Sequence, residues 1–155
     1  MSGNTFWFVD FSLTPEQEAL FASMLKLAGD VIAPGAADRD KAGSWDMQVW
    51  KTCAQAGVAG MPIPEEYGGS GGSILDCCLV NEALGQGGHD GGFGLSLGAH
   101  WVIGSVPIWL HGTEEQKRRW LPGLTSGDYI GAWASTEPEA GSDAGSILTT
   151  ARRDG

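Results

Sequence analysis

Apolar residues recur every three to four positions near the start of the chain. Leu20, Phe21, Met24, Leu27, Ala28, Val31 and Ile32 fall on one face of a helix. Thr14 suits the cap position, Pro15 the first helical position, and Gln17 completes a capping box. Pro34-Gly35 ends the pattern. A second helix is predicted to open at Ser44, to carry Met47, Trp50 and Ala54, and to stop at Gly57. Between Val58 and Pro64 two prolines sit two residues apart, which predicts an extended crossing segment followed by a turn over Glu65 to Gly69. Ser73 caps a third helix carrying Ile74, Leu75, Cys78, Leu79 and Ala83.

The glycine-dense stretch from Gly85 to Gly94 reads as a loop. An apolar region from Phe93 to Leu110 follows, read as two short helices with Pro107 near the start of the second. Thr113 to Gln116 forms another capping box. It opens a helix through Trp120 that Pro122-Gly123 closes. The periodicity then changes. Residues 129–135 and 147–153 have no helical period and read as strands, the second rich in β-branched residues. Asp154-Gly155 is a hairpin signal, so the chain is expected to continue beyond it. The resulting fold class is mainly α: a helical bundle over residues 1–125, then two strands of a truncated β domain over 126–155.

Composition narrows the function. The 155 residues include 19 acidic and 9 basic side chains, for a formal net charge of −10. A protein that tracks a phosphate backbone needs the opposite balance, so nucleic acid is not an expected partner. Cys53, Cys77 and Cys78 show neither a disulfide framework nor zinc spacing. His89, His100 and His111 stand eleven apart and lack the i,i+4 spacing of a helical metal site, so packing or surface roles are expected and no metal is assigned. The glycines of 85–94 do not match a dinucleotide fingerprint. Residues 1–11 show no leader, and no run is read as approaching the roughly 20 apolar residues of a membrane span. The expected location is cytoplasmic, with no membrane partner.

The segment Trp133 to Asp143 carries the most chemistry. Thr136 and Ser142 offer hydroxyls, Pro138 is rigid, and Ala140-Gly141-Ser142 lets a ligand approach the backbone. Free N–H groups there could form an anion nest. The same residues also suit a plain turn with self-capping side chains.

Four motifs in register decide between these readings. Thr136-Glu137-Pro138-x-Ala140-Gly141-Ser142-Asp143 resembles the flavin-loop signature of the acyl-CoA dehydrogenase family. Thr113-Glu114-Glu115-Gln116-Lys117 with Trp120-Leu121-Pro122 resembles the family's helix just before the strand that leads into that loop. Gly60-x-Pro62-x-Pro64-Glu65-Glu66-Tyr67-Gly68-Gly69 resembles its crossing segment. Leu13-Thr14-x-Glu16-Gln17 and Ile32-Ala33-Pro34 resemble its first helix.

The resemblance implies an FAD enzyme that removes a proton from Cα of an acyl-CoA thioester and passes hydride from Cβ to the flavin. Electrons then leave to an electron-transfer flavoprotein, and the full-length protein is expected to be a homo-oligomer. By matching position, Trp133, Ser135 and Thr136 face the flavin, and Gly141 and Ser142 lie near its pyrophosphate or the CoA moiety. Asp143 braces the loop. Leu97, Trp101, Val102 and Ile108 could line an acyl pocket or be ordinary core. The resemblance places the catalytic base in a C-terminal domain, so Glu65, Glu66, Glu137 and Glu139 are not assigned that role and the chain alone is expected to be inactive. Two alternatives stay open: a helical binding or scaffolding protein derived from the fold, and a flavin oxidase or monooxygenase built on it.

Overall fold

The computed structural model describes residues 11–154. Residues 1–10, where a leader would be sought, and Gly155 of the expected hairpin signal lie outside the described residues. The described residues hold seven α-helices: α1 (Pro15–Leu27), α2 (Ala36–Ala42), α3 (Met47–Gln55), α4 (Ile74–Gly88), α5 (Gly91–Ala99), α6 (Val106–His111) and α7 (Glu114–Thr125). Two π turns interrupt them, Ala28–Ile32 after α1 and His100–Ser105 between α5 and α6.

Local chemistry sets the helix starts. The capping boxes at Thr14–Gln17 and Thr113–Gln116 form as read, and Ser73 is reciprocally bonded with Asp76. The second predicted helix begins later than Ser44. Asp46 takes the cap, accepting from the N–H groups of Gln48 at 2.8 Å and Val49 at 3.2 Å. Ahead of it lies α2, which the apolar pattern does not signal because its sequence has no apolar stripe. Arg39 holds it instead: its guanidinium donates to the carbonyl of Pro34 at 2.9 Å and pairs with Asp90 at 2.9 Å, across 51 residues.

The predicted glycine loop is mostly helix. α4 runs through Gly88, His89 ends it in the left-handed region at φ 53°, and Asp90 caps α5 by accepting from Phe93 N–H at 2.9 Å. Close packing explains the glycines. A Cβ at Gly87 would lie 2.6 Å from the carbonyl oxygen of Leu25, and one at Gly88 would lie 2.7 Å from Ile32 Cγ2. The α1–α4 contact therefore needs bare backbone on the α4 side.

Residues 58–72 fold back on themselves and do not extend. Ser70 N–H donates to the carbonyl of Gly60, and Gly71 N–H to that of Ile63. α7 also continues past its expected end. Pro122 stands within the helix, where Leu121 and Leu124, buried with Ile63 and Tyr67, hold both sides of it. The main core gathers Met24, Ile32, Trp50, Val80, Leu84 and Leu97 with their neighbours.

α5, the second π turn and α6 join into one helical run, Gly91–His111. At 21 residues and mean hydropathy 1.3 it is long and apolar enough to cross a membrane, contrary to the reading that no run approaches that length. Phe93, Leu97, His100 and Trp101 pack it into the core of this chain.

The expected strands are absent, and the fold class is corrected accordingly. Among the described residues no segment is a strand, and the tail contains an isolated antiparallel bridge between Glu137 and Ala140 and a single 3-10 turn, Ala144–Ser146. The chain is a helical bundle with an irregular tail, without a truncated β domain. The residues of 129–135 and 147–153 have strand-like composition, but a strand exists only through partner backbones, and these two segments do not pair with each other.

Candidate functional site

Two features face outward with chemistry to offer: a groove along α4 and α5, and the tail after residue 131. The groove arises from the register of the Gly91–His111 run. Phe93, Leu97, His100 and Trp101 recur at i, i+4, i+7 and i+8 and point inward. The opposite side presents Leu95, 76% exposed, Val102, 66% exposed, and Ile103. Gly91, Gly94, Gly98 and Ala99 leave room between them, and α4 supplies Asn81, Glu82 and Gly85. The space is open to solvent and holds about 700 Å³. Its apolar walls and few polar groups suit an acyl chain better than a charged ligand.

The predicted pocket residues divide. Val102 lines the groove. Leu97 and Trp101 lie beneath it in the main core, and the Trp101 indole N–H donates to the carbonyls of Val58 at 2.9 Å and Ala59 at 3.1 Å. Ile108 packs against the smaller cluster under α7. Leu95, Gly98, Ala99 and Ile103 were not singled out from sequence. On a helix apolar all round, the sequence does not say which side meets the core.

A second concavity of about 650 Å³ lies between α2 and the starts of α3 and α5. Its charged residues are largely committed to structure: Arg39 with Asp90 in an ion pair, Asp46 and Asp90 as helix caps.

The tail leaves the bundle through a series of anchors. Trp50 Nε1–H donates to the carbonyl of Gly127 at 3.0 Å, and Lys51 pairs with Asp128 at 2.5 Å. Tyr129 N–H donates to the carbonyl of Gly123 at 2.9 Å, and Gly131 N–H donates to His100 Nδ1 at 2.9 Å. Beyond Gly131 the chain stands clear. Trp133 is 61% exposed; Thr136, Gly141 and Ser142 are exposed and Ser135 is half-buried. The backbone N–H groups of Ser135, Thr136, Gly141 and Ser142, and their three hydroxyls, make no hydrogen bond within the described residues. They are a row of neutral donors along the chain, a type of group that can bind an anion.

Glu137 braces this row. It bridges Ala140 through the backbone, and its carboxylate accepts from the N–H groups of Leu148 at 2.9 Å and Thr149 at 2.8 Å and from the Thr149 hydroxyl. The Leu148 N–H first, then the Thr149 hydroxyl, hold its carboxyl below the ordinary value. Glu137 is thus engaged as a staple. Asp143 accepts from the Ser146 hydroxyl at 2.5 Å.

Among titratable groups, burial pulls His100 below its ordinary value, opposed by the carbonyls of Ala59 and Leu124. Burial pushes the thiols of Cys53 and Cys77 up to about 11. Neither is a thiolate near neutrality, so neither suits a nucleophile's role. Among the described residues no three His, Cys, Asp or Glu side chains converge to hold a metal ion.

Comparison with known proteins identifies the family of the chain. The family model described as "Acyl-CoA dehydrogenase, N-terminal domain" matches residues 14–128. The chain is 41% identical over 147 residues to a probable acyl-CoA dehydrogenase, YngJ, of Bacillus subtilis, covering 95% of this chain and 38% of that protein. The acyl-CoA dehydrogenase of Geobacillus kaustophilus superposes with a TM-score of 0.85 at 32% identity, over 95% of this chain and 38% of that one. The structure of PigA with FAD and proline superposes with a TM-score of 0.83 at 37% identity, over 88% of this chain and 36% of PigA. The chain thus spans less than two-fifths of these relatives' length. With the family's N-terminal domain matched over residues 14–128, the chain belongs to the acyl-CoA dehydrogenase family.

Proposed function

We propose that the chain supplies the acyl-binding helices and part of the flavin-facing surface of an FAD-dependent acyl-CoA dehydrogenase. The observation that carries this reading is the presence on one helical body of both an apolar groove lined by Leu95, Val102 and Ile103 and a tail of unbonded donors after Gly131. The helical body to residue 125 holds the groove, and the residues from 126 onward hold the flavin-facing groups.

Trp133 offers an aromatic face to the flavin ring, and Ser135 and Thr136 offer donors to its edge. Gly141 and Ser142 would meet the pyrophosphate or the CoA moiety, since Gly141 lets an anion approach and Ser142 adds a hydroxyl. Bound flavin supplies the acceptor for the hydride leaving Cβ. The acyl chain lies along the groove, and Leu97 and Trp101, on the inward side of the same helical run, anchor that run in the core. No carboxylate of this chain is assigned as the base that removes the Cα proton. Electrons pass on to an electron-transfer flavoprotein, and the working enzyme is a homo-oligomer. The likeness to PigA, whose structure holds FAD and proline, supports FAD as the cofactor.

The test is reduction of an electron-accepting dye by the native protein that carries this sequence, across acyl-CoAs of graded length. Saturable turnover with at least one of them is expected, whereas the 155-residue chain with added FAD leaves the dye oxidised. Sustained dye reduction by the chain alone, or none by the native protein with any acyl-CoA, overturns the reading.

A further inference from the structure

His100 is fully buried, yet no role in binding or chemistry has been given to it. Its surroundings are specific. The Trp50 ring meets it edge-on with centroids 5.0 Å apart. Gly131 N–H donates to Nδ1 at 2.9 Å, which fixes the lone pair on Nδ1 and the proton of the neutral ring on Nε2. Ser105 lies 3.5 Å from Nε2 and donates its own hydroxyl to the His100 carbonyl at 2.9 Å. His100 and Ser105 are five apart, and the π turn is what stacks them; a regular α-helix would offset them.

One turn on from His100, Gly104 meets Gly131 directly. A Cβ at Gly104 would lie 2.7 Å from Gly131 Cα, and one at Gly131 would lie 2.8 Å from Gly104 Cα. Gly131 is therefore held twice, by a hydrogen bond and by a backbone-to-backbone contact that excludes any side chain. The exposed tail follows at once with Ala132 and Trp133.

We propose that the His100–Ser105 π turn is a socket for Gly131, with His100 as the positioning residue that sets where residues 133–136 stand relative to the groove. For catalysis this rests on the proposed flavin-facing role of those residues; the socket itself does not. The groove and the tail spring from opposite sides of the same π turn: Val102 and Ile103 face outward while His100 and Gly104 grip the tail. A rigid link between the two surfaces would fix the distance between an acyl chain and the group that accepts its hydride.

The experiment uses the 155-residue chain labelled with ¹⁵N. Long-range ¹H–¹⁵N correlation of His100 reports the tautomer, and hydrogen exchange reports Gly131. The expected result is the Nε2–H tautomer with a protected Gly131 amide. His100→Asn places a carboxamide oxygen near the Nδ1 position and is expected to keep Gly131 protection within about twofold. His100→Gln, whose carboxamide reaches toward Nε2 instead, is expected to lose about tenfold or more, with shifts confined to residues 130–136. A Nδ1–H tautomer, or Gly131 exchange as fast as that of an exposed amide in the unsubstituted chain, overturns the socket. So does equal protection in both variants. Should a His100 substitution unfold the chain, the tautomer and exchange of the unsubstituted chain still decide. Failure of the native protein to reduce dye with any acyl-CoA, alongside the expected tautomer and a protected Gly131 amide, would overturn the flavin reading and leave the socket standing.

Discussion

The indole N–H of Trp50 donates to the carbonyl oxygen of Gly127 at 3.0 Å, joining positions 77 residues apart inside the core. Gly127 has φ +73°, and a Cβ there would lie 2.5 Å from Ala54 Cβ. The end of α7 is thus fastened to α3 by one buried hydrogen bond at a residue where any side chain is both strained and crowded. Trp50→Phe is expected to cost about 1–3 kcal/mol through the orphaned carbonyl, and Trp50→Ala about 3–5 kcal/mol through the added cavity. Urea unfolding measures both; a Trp50→Phe midpoint equal to that of the parent would contradict the role assigned to this bond.

Glycines along α4 should respond to alanine in opposite directions. Gly85 has open space where a Cβ would go, so Gly85→Ala is expected to stabilise by about 0.5–1 kcal/mol through helix propensity. Gly87→Ala and Gly88→Ala push against Leu25 and Ile32 and are expected to destabilise by about 1–3 kcal/mol. Thermal melts of the three variants, followed by circular dichroism, check the difference in sign.

These glycines also show where the sequence was legible. The capping boxes at Thr14 and Thr113 could be read because each is a bond between residues three apart. The glycines of 85–94 could not, because the same residue marks a loop and permits close helix packing, and only the position of α1 decides. Helix α2 has no apolar stripe and depends on Arg39 reaching Asp90, a contact that no local pattern encodes. The strands were read from side-chain preference alone, which is a statement about partners that residues 129–153 do not have. In the candidate site, the chemistry of the Thr136–Asp143 loop was visible as residue types. The socket at His100 was not, since it needs a π turn and a glycine 31 residues away.

The Arg39–Asp90 pair is mostly buried, with side chains 13% and 17% exposed. Arg39→Leu leaves Asp90 capping α5 without its cation and frees the carbonyls of Ile32 and Pro34. The expected cost is about 2–3 kcal/mol, below that of a fully buried pair because water still reaches both groups. Asp90→Asn keeps a cap and is expected to cost less. A double-mutant cycle on unfolding free energies that finds no coupling would contradict the pairing.

His100 should make stability fall on the acid side. Its folded-state pKa lies below the ordinary 6.5, so below that pH the unfolded chain binds the proton first. Stability is expected to be flat just above neutrality, to decline as pH drops through about 6.5, and to level only once the folded imidazole is also protonated. His100→Asn removes this component while leaving the carboxylate titrations at lower pH. Parallel pH profiles for parent and variant between pH 5 and 7 would show that His100 does not titrate as assigned.

The central claim concerns an acyl group and a flavin meeting across the surfaces described here. Its most direct test is anaerobic addition of saturated acyl-CoAs to the flavin-loaded native protein that carries this sequence, followed by the flavin absorbance near 450 nm. The account predicts bleaching by at least one acyl-CoA, with Val102→Trp shifting the preference toward shorter chains by filling the groove. A native protein that binds no flavin, or whose flavin stays oxidised with every acyl-CoA supplied, would contradict it.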